Sequence, residues 1–245
     1  MRTSRYNGPN FPRARRMANL YHVPGLPDAG EATITGDVAH HLLRVLRMRE
    51  GDRIVLGDGR GRTARATIRQ AGKRELVAAV EPAIVHRPVR PGVTVAFACP
   101  RPARTDWLIE HGTEIGVARF QPLWTTRSRP QALRADRWRK IAAAAAGQCA
   151  RPFLPEVREP LELAAFLATE LPSCRLLADA AGDVLDGAGE ADAAVLLVGP
   201  EGGFGEQERA DALGHGFSAV RFGPHILRTE TAALLGAAVL LRAAT

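Results

Sequence analysis

The chain has 245 residues, and its 46% of apolar residues suffices for one large core or two moderate ones. It lacks a run of 18 apolar residues, and its basic N-terminus precedes no apolar segment, so neither a membrane span nor a signal peptide is predicted. The net charge of +7 favours a polyanionic partner, nucleic acid being the common one. Two other sources of this charge stay open, since many soluble proteins are mildly basic and a biased genome enriches arginine.

The cysteines indicate a compartment rather than a site. Cys99, Cys149 and Cys174 are odd in number and widely spaced. This spacing argues against a disulfide framework and against a metal site. We therefore expect a cytoplasmic protein without a bound metal.

The first 16 residues form a separate segment, in which five arginines stand among proline, glycine and asparagine. Such a composition predicts a disordered basic arm. Two interpretations stay open: the arm contacts RNA, or it is an upstream extension and the folded part starts near Met17.

Residues 17–88 predict a small β-barrel with one helix. Asp37 is a candidate N-cap, and helical spacing places five residues on one apolar face: Val38, His41, Leu42, Val45 and Leu46. Strands are predicted at Ala32–Thr35, Arg53–Leu56, Thr63–Arg69 and Glu75–Val80, and a linker at Glu81–Gly92. The arginines on this unit form either an RNA-binding surface or a solvated rim: Arg44, Arg47, Arg49, Arg53, Arg60, Arg62, Arg65 and Arg69.

From Val93 onward strands alternate with helices, which predicts an α/β fold with a mostly parallel sheet. Strands are expected at Val93–Ala98, Arg119–Trp124, Arg175–Ala178, Ala194–Val198 and Ser218–Phe222. Helices are expected at Arg104–Ile115, Ala135–Ala146, Glu162–Leu167, Glu206 to near Gly214, and Ala232–Leu241. Trp107, Leu108 and Ile115 are predicted to point inward, as are Trp138, Ile141 and Ala145. The last helix is apolar nearly all round, so either the sheet or a second subunit covers it.

Two glycine-rich loops mark the candidate site, Gly199–Gly203 and Gly223–Thr231. Parallel strands end on one edge of a sheet, so the loops near Asp179, Gly199 and Gly223 are expected to share a crevice. Neither loop carries the Walker motif or the dinucleotide fingerprint, and Glu201 would repel a phosphate. The crevice therefore suits an apolar or cationic ligand.

Both loops resemble those of the RsmE family, the bacterial 16S ribosomal RNA uridine-N3 methyltransferases of the SPOUT superfamily. The match rests on Leu197–Phe204 and Phe222–Ala233, with support from Thr113–Val117, Gln121–Leu123, Gln148–Arg151, Pro155–Val157 and His41–Asp52. The sequence departs from the family pattern at Phe222, His225, Arg101, His111 and Gly147. Because the loops are intact, these departures bear on RNA contacts rather than on the cofactor.

The resemblance implies a PUA-like barrel at 17–88 and an α/β domain with a deep trefoil knot at 89–245. It implies S-adenosyl-L-methionine as methyl donor, a homodimer, and 16S ribosomal RNA or the assembling small subunit as partner. By position, the residues expected at the cofactor are Leu177, Ala178, Leu197, Val198, Gly199, Gly203, Phe222, Gly223, Ile226, Leu227 and Thr229.

The chemistry is expected from charged residues around the same loops. Arg228 is the candidate stabiliser of charge on the uracil, unless it only pairs with Glu201 or Glu230. Either of these glutamates is a candidate acceptor of the N3 proton, unless it caps a helix. RNA-phosphate contacts are expected from Arg44, Arg47, Arg104, Gln148 and Arg151. Two alternatives stay open: a SPOUT enzyme with another target nucleoside, and a non-catalytic RNA-binding ribosome-assembly factor.

Overall fold

In a computed structural model, residues 19–128, 135–185 and 191–242 are described, and they form two sheets. The arm predicted at 1–16 lies outside these ranges. Among the described helices, none combines the length and apolar character needed to cross a bilayer.

The first sheet has six strands around its own core. The strands are β1 (Leu20–His22), β2 (Gly30–Ile34), β3 (Arg53–Gly57), β4 (Arg62–Ala71), β5 (Leu76–Val80) and β6 (Ile84–Val85). They pair in the order β1-β3-β4-β5-β2, with β6 added to β4. Alternate residues such as Ile34, Leu56 and Ile68 point into one cluster, as the period of two predicts. The sequence missed β1, which pairs parallel to β3, and β6, which lies in the predicted linker.

The helical segment after β2 differs from its prediction. Helix α1 (Gly36–His40) is capped by Thr35, so the prediction of Asp37 as N-cap was wrong. A π-helical turn over His41–Val45 follows directly, and the Leu46 N–H donates to the His41 carbonyl. The wider π turn no longer keeps residues at the spacing of 3.6 on one face. Leu42 is therefore buried, whereas Val45 and Leu46 are 60% and 42% exposed, contrary to the predicted apolar face.

The second sheet confirms the α/β prediction, and every pair in it is parallel. Its strands are β7 (Gly92–Ala98), β8 (Arg119–Trp124), β9 (Glu156–Val157), β10 (Leu161–Glu162), β11 (Cys174–Val184), β12 (Ala193–Val198) and β13 (Ser218–Arg221). They run in the order β10-β8-β7-β12-β11-β13, and β9 also pairs with β8. The central strand β12 is buried on both faces, because Val195 and Leu197 face one core while Leu196 and Val198 face the other.

Five helices cover this sheet: α2 (Pro102–Ile115), α3 (Ala135–Gln148), α4 (Leu163–Leu167), α5 (Glu206–Gly214) and α6 (Thr229–Arg242). Helices α2, α3 and α6 bury residues in one core, and α4 and α5 in the other. Gly112 is the close-packing point of α2, since a Cβ there would lie 2.7 Å from the Phe120 ring. This contact turns Leu108 inward and leaves Trp107 and Ile115 43% and 38% exposed, so the inward prediction was wrong for these two residues.

Strand β11 runs past its predicted end at Ala178. The Ala-Gly-Asp stretch expected to be a loop pairs with β13 after a register shift between Ala178 and Asp183. Gly182 permits this pairing, because a Cβ there would lie 2.6 Å from the Ala219 carbonyl oxygen. The edge of the sheet at Ala178 is therefore a bulged strand rather than a free loop.

His22, at the end of β1, gives a stability prediction. Burial lowers the pKa of its imidazole from 6.5 to about 4, so between these values the unfolded chain binds a proton that the folded chain does not. The free energy of unfolding is therefore expected to fall by about 2 kcal/mol as the pH drops from 6.5 to 4. Denaturant titrations should show a flatter profile for His22→Gln in this range. Parallel profiles for the two proteins would contradict the assignment.

Candidate functional site

A cavity of about 410 Å³ lies where β11, β12 and β13 end. Three segments supply most of its wall: 177–180 from β11, 198–204 after β12, and 220–223 from β13 onward. Residues 225–227, Thr229 and Ala232 complete it. The strand ends near Asp179, Gly199 and Gly223 thus meet as the parallel topology predicts.

The two glycine-rich loops are bound to each other. The Thr229 hydroxyl donates to the Gly199 carbonyl at 2.8 Å, and Thr229 is buried at the start of α6. Gly203 closes a tight turn at φ 71°, with its N–H on the Pro200 carbonyl. Gly199 lies flat against Phe204, since a Cβ at position 199 would be 3.0 Å from the ring. These contacts preform the shape of the cavity.

A third segment, the turn after β8, supports the first loop from outside. Arg127 Nη1 donates to the Gly202 carbonyl at 2.5 Å. The Thr126 N–H and hydroxyl both donate to Glu208, whose carboxylate also accepts the Gly205 N–H at the start of α5. The loop is therefore held at both ends, without using a side chain that faces the cavity for this purpose.

The cavity wall is apolar with acidic groups at two places. Leu177, Val198 and Leu227 supply apolar surface, while Asp179 and Glu201 supply carboxylates. Burial alone would raise the pKa of Asp179, but hydrogen bonds from the Ala181 N–H and the Arg209 guanidinium hold it below its usual value. The wall thus suits a ligand that combines apolar groups with positive charge. In the described part of the chain, His, Cys, Asp and Glu form no group of three or more that is able to hold a metal.

Arg104 joins two carboxylates beside the cavity. Its Nη1 pairs with Glu201 on the wall, and its Nε lies 3.6 Å from Glu230 Oε1 in the first turn of α6. The Glu230 side chain is only 9% exposed, and its Oε2 has no hydrogen-bond partner among the described residues. Arg104 therefore links α2, α6 and the first loop, in the role of counter-ion that Arg228 was one candidate for.

The structure brings together the predicted cofactor residues, apart from Leu197. Its side chain is fully buried in the sheet and does not line the cavity. The sequence missed several wall residues: Asp179, Ala180, Pro200, Gly202, Phe204, Arg209, Val220, Arg221, His225 and Ala232. Asp179 stands at a predicted strand end, a signal that was available, whereas Arg209 sits in a helix without such a signal.

The other predicted residues lie apart from the cavity wall. Arg228 is exposed just before α6 and, like Glu230, does not line the cavity. Arg44 and Arg47 are exposed on the first sheet's helical segment, and Arg47 has a positive φ of 54°. Gln148 is exposed at the end of α3.

Arg151 differs from the other candidates for RNA contact because the protein already uses its guanidinium. Burial lowers its pKa to about 10, which leaves it charged at neutral pH. Its Nη1 donates to the Thr113 carbonyl at 2.9 Å. This contact ties the segment after α3 to the C-terminal end of α2.

Comparisons with known proteins agree on one family. A family described as RNA methyltransferase domain matches residues 88–241, and one described as RNA methyltransferase PUA domain matches residues 34–81. Ribosomal RNA small subunit methyltransferase E of Mycobacterium bovis is 38% identical over 89% of this chain and 88% of its own length.

Two solved structures are similar over most of the chain. Ribosomal RNA small subunit methyltransferase E from Neisseria gonorrhoeae, bound to S-adenosyl methionine, superposes with a TM-score of 0.84 at 29% identity, covering 90% of this chain and 95% of that one. A putative methyltransferase from Legionella pneumophila, in complex with the same cofactor, has a TM-score of 0.84 at 28% identity, covering 94% and 98%.

Proposed function

Because this chain belongs to the RsmE family of ribosomal RNA methyltransferases, we propose that it methylates N3 of a uridine in 16S ribosomal RNA. S-adenosyl-L-methionine is the proposed donor. The observation that carries the proposal is the cavity between the loops Gly199–Gly203 and Gly223–Thr229, with its apolar and acidic wall. Two similar solved structures were obtained with this cofactor bound.

The wall fits the parts of the donor. Leu177, Val198 and Leu227 offer apolar surface for an adenine ring, and the bare backbone at Gly199 and Gly223 permits close approach. Asp179 offers an ionised acceptor suited to hydroxyl groups. Glu201 places negative charge on the wall, which favours a sulfonium cation over a phosphate. When bound there, the donor supplies an electrophilic methyl group.

The protein's part in the reaction concerns the proton on uridine N3. This proton lies on the pairing edge of the base, so the base must leave its stack before the atom is reached. Glu201, on the cavity wall, is the proposed proton acceptor, with Glu230 as the second candidate. Arg104 or Arg228 is proposed to offset the negative charge that develops on a uracil oxygen. Arg104 has the better position, because it already lies against Glu201.

Arg228 gives a test of these roles. Arg228→Ala is expected to lower kcat for methyl transfer by about 10-fold or more, since a charge-stabilising donor would be lost. The Kd for S-adenosylmethionine should change less than twofold, because the side chain does not line the cavity. Single-turnover assays and calorimetry measure the two quantities, with Arg228→Lys as the charge-preserving control. A large loss of cofactor affinity instead would place Arg228 in the cofactor site.

RNA contact is proposed along the first sheet and the adjoining end of the second. Arg44 and Arg47 are exposed next to Val45 and Leu46, so cationic and apolar surface occur together on one segment. Such a combination suits phosphates and unpaired bases. Gln148, and Arg151 where its guanidinium is released, are proposed to extend this surface.

Other features follow from family membership. We propose a PUA-like barrel at 17–88, a knotted SPOUT domain at 89–245, a cytoplasmic location and a homodimer. The exposed apolar residues Trp107, Ile115 and Leu235 on α2 and α6 support a subunit interface there. Sedimentation at micromolar concentration tests the dimer, and a monomer would contradict it.

Calorimetry with S-adenosylmethionine separates the proposal from its strongest rival, a non-catalytic assembly factor. Binding with micromolar affinity and a stoichiometry of about one is expected for a methyltransferase. The absence of binding would favour the assembly factor. A methylated product at an atom other than uridine N3 would favour the other alternative, an enzyme with a different target nucleoside.

A further inference from the structure

The turn between β3 and β4, Gly57–Gly61, docks the first sheet onto the second. The Gly61 N–H donates to the Pro152 carbonyl at 3.2 Å, and the Leu154 N–H donates to the Gly59 carbonyl at 2.9 Å. Between these bonds, Arg60 and Phe153 form an antiparallel bridge. We call this set of contacts the junction; it is a short ladder of backbone hydrogen bonds between the two sheets' loops.

The junction requires glycine at two positions. Gly61 has a φ of 103°, and a Cβ there would lie 2.6 Å from Phe153 Cε1. Gly59 has a φ of 72°, and a Cβ there would lie 2.8 Å from Leu154 Cδ1. Both the left-handed backbone and the close approach favour glycine strongly over any other residue. The residues that look like an ordinary tight turn therefore serve a contact 90 residues away in sequence.

Further contacts hold the same region. The Gly61 carbonyl accepts the His86 N–H at 2.7 Å, which fixes the segment that leads from the first sheet to the second. On the other side, the Leu20 carbonyl of β1 lies against α3, where a Cβ on Gly147 would be 2.7 Å from it. Backbone groups thus contact each other at several points, and few of these contacts depend on long, adaptable side chains.

We propose that the junction positions the bound RNA relative to the methyl-transfer cavity, and that Gly61 and Phe153 are positioning residues for the reaction. This inference rests on the proposed function. A rigid connection keeps the face that carries Arg44 and Arg47 at a fixed distance from the cavity, so a target held by one is oriented for the other. Misplacement of about 1 Å in such a system costs on the order of 100-fold in rate.

The experiment compares Gly61→Ala with Gly30→Ala. Gly30 has nearly the same φ, 105°, but its Cβ would meet nothing within 4 Å, so the two variants share backbone strain and differ in the push against Phe153. For Gly61→Ala, kcat/KM with the small subunit as substrate is expected to fall about 10-fold or more, while the Kd for S-adenosylmethionine stays within twofold. For Gly30→Ala, both quantities are expected to stay within about twofold of the wild type.

Equal losses of kcat/KM in the two variants, or no loss in either, would overturn the inference. So would a loss of cofactor affinity in Gly61→Ala, because the effect would then not concern RNA placement. A wild-type chain that binds no S-adenosylmethionine and transfers no methyl group would overturn the proposed function itself, which distinguishes the two failures.

A cross-link tests the rigidity even where Gly61→Ala does not fold. Partners in an antiparallel bridge are close enough for a disulfide, so Arg60→Cys combined with Phe153→Cys allows the junction to be locked. Burial raises the pKa of the natural Cys99, Cys149 and Cys174 thiols, which limits competing reactions. The oxidised form is expected to methylate the small subunit within twofold of the reduced form. Activity lost on oxidation and restored by reductant would show that the sheets must separate, and would overturn the inference.

Discussion

Gly199→Ala is expected to weaken binding of S-adenosylmethionine by about 10- to 100-fold, because overpacking at one position costs about 1–3 kcal/mol. The new Cβ would lie 3.0 Å from two ring carbons of Phe204 and 3.3 Å from its backbone nitrogen. Since Phe204 lines the cavity, moving it changes the shape of the proposed cofactor site. Calorimetric titration of the variant measures the loss.

Gly202→Ala is the matched control for this variant. It lies in the same loop and on the same cavity wall, but its Cβ would meet only Arg127 Cδ, at an ordinary 3.7 Å. Its affinity for the cofactor is expected to stay within about threefold of the wild type. Equal losses in the two variants would mean that any side chain in the loop is harmful, and that the contact with Phe204 has no special part.

Arg104→Met is expected to lower the free energy of unfolding by about 2 kcal/mol, because it leaves the buried Glu230 carboxylate without its counter-ion. The value is below that for a fully buried pair, since Arg104 is 30% exposed. Adding Glu230→Gln should restore much of the loss, because the second substitution removes the uncompensated charge. Chemical denaturation of the wild type, the two single variants and the double variant gives the coupling.

The same variants test the chemistry. If Arg104 offsets charge on the uracil, Arg104→Met with Glu230→Gln remains about 10-fold or more slower in methyl transfer even though its stability recovers. Recovery of the rate together with stability would reduce Arg104 to a structural ion pair. An additive double-mutant cycle, in which the losses simply sum, would contradict the ion pair itself.

The regular parts of the fold could be predicted because local pattern decides them. Strand β8 at Arg119–Trp124 and helix α5 at Glu206–Gly214 have the predicted bounds. Apolar runs, acidic helix starts and glycine stops identify such elements without knowledge of their neighbours. The meeting of three strand ends at one cavity follows in turn from the parallel sheet.

The remaining features depend on distant contacts that no local pattern contains. The extension of β11 through Gly182 requires β13 beside it, and the exposure of Trp107 follows from how Gly112 meets Phe120. Val45 and Leu46 turn outward because the backbone adopts a π turn that the helical period of 3.6 does not reveal. The joining of Glu201 and Glu230 by Arg104 involves three segments far apart in sequence, so it could be found only in three dimensions.

Mass mapping of modified nucleosides in 16S ribosomal RNA tests the central claim most directly. RNA from a strain that lacks this protein is compared with RNA from the same strain after the gene is restored. One uridine is expected to lack its N3-methyl group in the first sample and to carry it in the second. Identical modification in both samples, or a difference at another nucleoside or atom, would contradict the proposed function.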